Sequence, residues 1–179
     1  MRILGIDPGY AIVGWGVLEF DNMHFSVIKY GAITTSPETP FDKRLSEIYD
    51  DMCVVIEKFR PECMSIEKLF FNSNITTGID VAQARGVIML AAAQKGVKIY
   101  EYTPLQEKVA VTGYGHAEKH QVQEMTKNIL RLKAVPKPDD TADALALAIT
   151  HGHTGGSRLS EIMRGNEVTQ LNRSQKNNG

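Results

Sequence analysis

The strongest candidates for chemistry in this sequence are four acidic residues. Asp7 and Glu67 each close a short apolar run, and Asp140 and Asp143 stand three residues apart in a stretch rich in Ala and Leu. Carboxylates that converge without a balancing Lys or Arg repel one another strongly. Hard divalent cations relieve that repulsion, because ligand sets made only of oxygen atoms favour Mg²⁺ or Mn²⁺. The set therefore indicates a divalent-metal site, provided that the fold brings its members together.

Two predicted strands must position Asp7 and Glu67. Pro8 and Gly9 follow the first run and end its strand, because proline lacks the ladder donor and glycine permits a sharp turn. The second run is short and lies between a helix stop at Pro61 and a polar loop. If the two strands are parallel neighbours, both carboxylates project from the same end of the sheet, where open α/β sheets bind ligands.

A predicted helix from Asp139 to about His151 must position the other two acids. Asp140 and Asp143 share one face of this helix, since residues three apart are neighbours on a helix surface. That face could lie over the two strand ends. All four carboxylates would then meet at one edge of the sheet.

Each acid also has a simpler explanation. Asp-Pro-Gly is ordinary turn chemistry, an aspartate at the start of a helix commonly caps it, and Glu67 beside Lys68 could form a surface ion pair. Capping accounts well for Asp139 and less well for Asp143, which lies further into the helix. Taken together, two strand-end carboxylates and an acidic pair at i and i+3 favour the metal site.

The order of predicted elements indicates an α/β fold. Three antiparallel strands, the second containing Gly14 and Gly16 as signs of a bulge or a close approach, precede alternating helices and strands. This order predicts a five-stranded mixed sheet, three strands antiparallel and two parallel, flanked by helices on both faces. The expected strands cover 3–7, 11–20, 24–34, 62–67 and 97–102, and the expected helices run from 40 to about 60, over 76–95, from 104, around 122–132 and from 139 to about 151.

Composition suggests one domain in a soluble chain. Of the 179 residues 42% are hydrophobic, which suits a single globular domain; we place it at 1–154, followed by a polar, mobile tail at 155–179. The first apolar run is too short for a signal peptide and no run approaches a membrane span. Because the formal net charge is −1, any binding of nucleic acid must use a local patch of basic residues. We expect a cytoplasmic protein with no membrane partner.

Several ordered motifs resemble those of the RuvC family of Holliday junction resolvases. They are Gly5-Ile6-Asp7-Pro8-Gly9, Ile66-Glu67 followed by Phe70, Ala82-Gln83-Ala84-Arg85-Gly86, Gly115-His116-Ala117-Glu118-Lys119 and Asp140-Thr141-Ala142-Asp143-Ala144-Leu145. The similarity covers roughly Met1 to His153. It implies an RNase H-like fold and a structure-selective endonuclease that resolves four-way DNA junctions by paired metal-dependent nicks in homologous recombination and DNA repair.

The resemblance implies that Asp7, Glu67, Asp140 and Asp143 are the catalytic and metal-binding residues. They would hold two Mg²⁺ ions, with Mn²⁺ as a substitute, and Asp7 would bridge both. Two such ions can activate a water and stabilise the leaving oxygen in an in-line displacement. Nicks with a 5′-phosphate and a 3′-hydroxyl are implied. Some family members carry His where Asp140 stands, whereas this chain keeps the carboxylate; Asp139 receives no catalytic role.

Three further residues match family positions linked to DNA. Lys108 and Lys119 would contact phosphates beside the cleaved bond, although a single lysine is more often simply solvated. Phe70 would stack on an unpaired base, whereas its neighbour Phe71 is expected to anchor the loop to the core.

The symmetry of the implied substrate predicts the partners. A four-way junction has two-fold symmetry, so a homodimer would supply two matched sites. Ala82 and Gly86 in the second helix are possible contacts of this dimer. Core packing explains these small residues equally well. Branch-migration proteins of the RuvA and RuvB type are the implied cellular partners.

Three other functions compete with this prediction. One is another RNase H-like nuclease, such as an enzyme that processes ribosomal RNA. A second is an actin-like phosphotransfer module, which needs further phosphate loops that a chain this short does not show. The third is a junction-binding module without cleavage, and the intact acidic set argues against it.

Overall fold

The computed structural model of the protein describes residues 1–69 and 75–155, apart from the side chains of 75–77. The strands are β1 (Arg2–Asp7), β2 (Ile12–Asp21), β3 (His24–Thr34), β4 (Cys63–Glu67) and β5 (Lys98–Tyr102). The helices are α1 (Phe41–Phe59), α2 (Ile75–Gln94), α3 (Pro104–Thr112), α4 (Lys119–Ile129) and α5 (Asp139–Gly155).

The five strands form one mixed sheet in the order β3-β2-β1-β4-β5. β1, β2 and β3 pair antiparallel, whereas β4 pairs parallel with both β1 and β5. In the β1–β4 ladder Ile6 lies opposite Ile66, so the next residues, Asp7 and Glu67, end their strands side by side. The predicted fold class and the parallel pairing of the two acid-bearing strands are confirmed.

Two apolar cores form because neighbouring residues of a strand point to opposite faces of the sheet. On one face, Leu4 and Ile6 pack with Ile48 and Met52 of α1 and Ile88 of α2.

On the other face, a second core joins Ile3 and Leu18 to Val122 of α4 and to Leu145 and Ile149 of α5. Helices therefore cover both faces, as predicted.

Glycines allow α5 to lie directly on the strands. A Cβ atom added at Gly5 would stand 1.9 Å from the carbonyl oxygen of Ala144, and one at Gly14 would stand 1.9 Å from that of Asp140. Any side chain at either position would push the helix away from the sheet. The predicted close approach at Gly14 is confirmed, and it sets the depth at which the acidic start of α5 is held.

The end of α5 differs from the prediction. The helix continues past His151 to Gly155, because its last turns are still packed: His151 is buried, and Gly152 lies against the Phe25 ring. Gly155 therefore belongs to this helix and not to the predicted tail. Residues 156–179, the rest of that tail, lie outside the described residues.

Among the helices of the described ranges, none combines the length and apolar character needed to cross a membrane.

Candidate active site

An acidic cavity of about 250 Å³ lies at the carboxyl ends of β1 and β4. Its lining residues are Asp7, Glu67, Pro104, Glu107, Lys108, Lys119, Val122, Asp143 and Leu147. They come from β1, β4 and the three helices α3, α4 and α5, so only the folded chain brings them together. Three of the four predicted acids and both predicted lysines meet in this cavity.

Asp143 is held from α4 through both of its carboxylate oxygens. The Nζ atom of Lys119 lies 2.6 Å from its Oδ2, and the Nε2 amide of Gln123 donates to its Oδ1 at 3.2 Å. Lys119 and Gln123 are one turn apart on α4, so their side chains reach the same target. Although burial opposes it, the hydrogen bond to Asp143 raises the pKa of Lys119, which keeps the ammonium charged.

The pKa of the Asp7 carboxyl is strongly raised. Burial raises the pKa of this carboxyl to about 8, and the negative charges of Asp143, Glu67 and Asp140 reinforce the shift, while Lys119 opposes it. Asp140 does not line the cavity, yet it lies close enough to act on Asp7. Repulsion among these groups is the feature that a bound cation would relieve.

Glu67 is subject to the same influences in weaker form. Burial, followed by the charge of Asp143, raises the pKa of this carboxyl, whereas Lys119 and Arg85 oppose the shift. Arg85 also touches the main chain here, since its Nε donates to the Glu67 carbonyl oxygen at 2.9 Å.

Glu107 is the fourth carboxylate that lines the cavity, and the sequence analysis did not identify it. It lies in the first turn of α3, where an acid ordinarily favours the helix dipole at the surface. Here burial raises its pKa to about 8, and the charges of Asp143, Glu67 and Asp7 reinforce the shift.

The position of Glu107 follows from the strand before it. β5 ends at Tyr102 parallel to β4, and Thr103 caps a helix that begins at once with Pro104. The first turn of α3 must therefore start at the same sheet edge as Glu67. The sequence feature that could have identified Glu107 was the predicted parallel pairing of the strands that end at Glu67 and Tyr102, since acids that follow parallel strands gather at one edge of the sheet.

The donor chemistry of the cavity suits a hard divalent cation. Its possible ligands are carboxylate oxygens, with no His or Cys among the lining residues. Within 1–69 and 75–155, no group of three or more His, Cys, Asp or Glu side chains is placed so that it could hold a metal ion. The Asp143 carboxylate instead contacts Lys119 and Gln123.

The remaining predicted residues fall outside this cavity or outside the described part of the chain. Asp139 pairs with Lys137 at 2.5 Å, in keeping with its lack of a catalytic assignment. Phe70 and Phe71 lie in the segment between the two described ranges, so base stacking by the first and loop anchoring by the second stay predictions.

Comparison with known proteins gives concordant matches in sequence and structure. The family model for crossover junction endodeoxyribonuclease RuvC matches residues 3–151. The crossover junction endodeoxyribonuclease RuvC of Brevibacillus brevis is 60% identical over 151 residues, which are 84% of this chain and 91% of that protein.

Two solved structures have the same fold over most of the chain. The Thermus thermophilus RuvC structure superposes with a TM-score of 0.81 at 36% identity, covering 87% of this chain and 95% of that one. A structure of T. thermophilus RuvC in complex with a Holliday junction substrate gives a TM-score of 0.80 at 33% identity, with the same 87% and 95% coverage.

Proposed function

The chain belongs to the RuvC family of crossover junction endodeoxyribonucleases, and from that premise we propose that its acidic cavity cleaves phosphodiester bonds at a four-way DNA junction. The observation that carries the proposal is the meeting of Asp7, Glu67 and Asp143 with Lys108 and Lys119 in one cavity at the edge of an RNase H-like sheet. Carboxylates that gather cations beside lysines that face phosphates suit a phosphodiester substrate.

The four predicted acids are the proposed holders of divalent cations, two Mg²⁺ ions with Mn²⁺ as a substitute. Their oxygen donors fit these cations, and their mutual repulsion favours cation binding. A cation bound there supplies positive charge to the phosphate oxygens and lowers the pKa of water. Asp7 occupies the central position, since Glu67, Asp140 and Asp143 all act on it.

The two lysines are proposed to contact the phosphates beside the cleaved bond. Lys119 has a second role in the free protein, because its ammonium neutralises Asp143. A cation bound by Asp143 would compete with this ammonium for the carboxylate. Once released, the ammonium of Lys119 is free to meet a DNA phosphate, and Lys108 lines the same cavity one helix away.

A homodimer is the proposed assembly, because paired nicks on a two-fold substrate need two matched sites. The outer face of α2 is the proposed contact surface. Ile79 and Leu90 are about half exposed there, at 49% and 50%, and a Cβ added at Gly86 would meet no atom within 4 Å. Core packing therefore does not explain Gly86, whereas close approach of a second copy would.

The biological setting follows from the same premise. Resolution of junctions places the protein in homologous recombination and DNA repair, with branch-migration proteins of the RuvA and RuvB type as proposed partners. A DNA substrate also favours the cytoplasm as its location.

The decisive experiment compares Asp7→Asn with Asp139→Asn on a four-way junction and on a linear duplex of the same sequence. Asp7→Asn should lower the nicking rate with Mg²⁺ by about a thousandfold, because cation stabilisation is worth several kcal/mol. Folding and junction binding should persist, since the substitution keeps the side-chain shape. Asp139→Asn should cleave as the unmodified chain does.

Three other results would contradict the proposal. Nicking by Asp7→Asn at the unmodified rate would remove the site assignment. Equal cleavage of the linear duplex or of structured RNA would favour another RNase H-like nuclease. Junction binding with no cleavage by the unmodified chain in Mg²⁺ or Mn²⁺ would favour a non-cleaving binding module.

A further inference from the structure

The main chain at Glu67 lies where the ladder between β1 and β4 has ended. The last paired residues of these strands are Ile6 and Ile66, so Asp7 lies beside Glu67 but is not paired with it in the ladder. On the other side Lys68 donates its backbone N–H to the Tyr102 carbonyl at 2.8 Å. The Glu67 carbonyl oxygen instead accepts the 2.9 Å hydrogen bond from Arg85 Nε.

The guanidinium of Arg85 is itself fixed from several directions. Its side chain is only 14% exposed, and its Nη2 pairs with the carboxylate of Glu101. Its Nη1 lies 3.1 Å from the sulfur of Met89, one turn further along α2. Glu101 sits on β5 opposite Ile66. A single side chain from α2 thus joins the ends of β4 and β5.

The planar shape of arginine is what makes this arrangement possible. Its donors are held in a rigid fork, so Nε can serve the Glu67 carbonyl while Nη2 serves Glu101. Lysine has a single charged nitrogen on a flexible stem and cannot hold both partners in this fixed geometry. The contact is therefore specific to arginine and not merely to positive charge.

We propose that Arg85 is a positioning residue for the nuclease reaction, which holds the Glu67 main chain so that its carboxylate is presented to the cation. The inference rests on the proposed function of the cavity. Arg85 does not line the cavity, and it acts only through Glu67. Because the β1–β4 pairing ends before Glu67, loss of the Arg85 contact would leave the Glu67 main chain held by its pairing with β5.

A purely stabilising ion pair is the competing explanation, and α2 offers a matched control for it. Lys95, just past the end of α2, pairs with Glu57 of α1 at the surface, and neither residue lines the acidic cavity. Lys95→Ala removes an ion pair next to the end of α2 without changing a contact of β4. Arg85→Ala removes the whole contact, whereas Arg85→Lys keeps the charge and loses the fork.

The experiment measures kcat and KM for junction cleavage, Mn²⁺ affinity by calorimetry and the thermal midpoint for these three variants. Residues that orient metal ligands typically change metal affinity or activity by about 10- to 100-fold when replaced. We expect kcat to fall and the Mn²⁺ dissociation constant to rise by factors in that range for both Arg85→Ala and Arg85→Lys. KM for the junction should stay unchanged, and Lys95→Ala should match the unmodified chain in kcat and Mn²⁺ affinity.

Two results would overturn the inference. One is kcat and Mn²⁺ affinity within about threefold of the unmodified chain for both Arg85 variants, a change well below the usual effect of such residues. The other is a loss of activity that matches the fraction unfolded at the assay temperature, which circular dichroism measures. Asp7→Asn, run beside them, separates the two hypotheses: cleavage by Asp7→Asn removes the proposed site, whereas its inactivity beside fully active Arg85 variants removes only the role of Arg85.

Discussion

The two faces of the sheet are packed in different ways. On the α5 face, helix backbone meets strand backbone, because Gly5 and Gly14 leave no side chain between them. On the α1 and α2 face, fully buried side chains such as Ile48, Met52 and Ile88 fill the space between helices and strands. Backbone contact permits only one helix position, whereas side-chain packing can adjust. The acids of α5 lie on the face that cannot adjust, and the proposed dimer surface lies on the other.

The strongest test of this difference is Gly5→Ala. Its new Cβ would stand 1.9 Å from the Ala144 carbonyl oxygen, and a backbone atom cannot rotate away as a side chain does. We expect the free energy of unfolding to fall by about 3–5 kcal/mol, at the upper end of the effects of overpacking. Urea denaturation measures it. A loss under about 1 kcal/mol would mean that α5 can shift and that the close contact does not set its position.

Much of this arrangement could be predicted from the sequence, and the failures have physical causes. Asp7 and Glu67 were predictable, because a strand pattern ends at each acid and parallel strands end at one edge. Glu107 was missed, because its inward direction depends on where α3 starts after β5. Gln123 was missed as well, since a polar residue on a helix carries no sign that it will be buried against Asp143.

The second prediction concerns the stability cost of the acids on the α5 face. Burial raises the pKa of Asp7 from 3.8 to about 8, so between these pH values the folded chain holds a proton that the unfolded chain has lost. The free energy of unfolding must then fall as the pH rises through this window. In the presence of a chelator, Asp7→Asn should therefore be more stable than the unmodified chain at pH 8, by a few kcal/mol.

Thermal melts from pH 4 to pH 8 provide the measurement. The advantage of Asp7→Asn should become small near pH 4, where the carboxyl is neutral in the folded chain and only partly ionised in the unfolded chain. Glu107→Gln should behave alike, because burial raises the pKa of Glu107 to about 8. Exposed Glu124, paired with Lys127 outside the cavity, supplies the control Glu124→Gln. Equal melting curves for Asp7→Asn and the unmodified chain at pH 8 would show that the Asp7 carboxylate does not destabilise the fold.

The third prediction compares one lysine from each face. Lys119→Ala should slow cleavage and reduce the slope of log affinity against log salt by about 0.9, the value for one phosphate contact on B-DNA. Lys43→Ala, on the exposed side of α1, should change neither quantity. The affinity for Mn²⁺ should not fall in Lys119→Ala, because the ammonium that this variant removes pairs with Asp143 and competes with a cation for it. An unchanged slope with an unchanged rate would mean that Lys119 contacts no phosphate and serves only its ion pair with Asp143.

The smallest expected effect belongs to the opposite face, at Gly86. An added Cβ meets no atom within 4 Å, and alanine is favoured over glycine inside a helix by about 0.8–1.0 kcal/mol. Gly86→Ala should therefore stabilise the chain, in contrast to Gly5→Ala, although both changes add one methyl group. Thermal melts at a protein concentration low enough to keep the chain monomeric provide the measurement.

The same variant tests whether the α2 face is covered by a second copy. In the monomer the methyl group enters open space, so it can only help the helix. In a dimer that packs through α2, the methyl group would meet the partner, because a helix contact built on glycine has no room for it. Gly86→Ala should then raise the thermal midpoint when dilute and weaken self-association, as sedimentation equilibrium would measure. A lower midpoint in the dilute protein would contradict the open surface at Gly86, and unchanged association would move the dimer contact away from this part of α2.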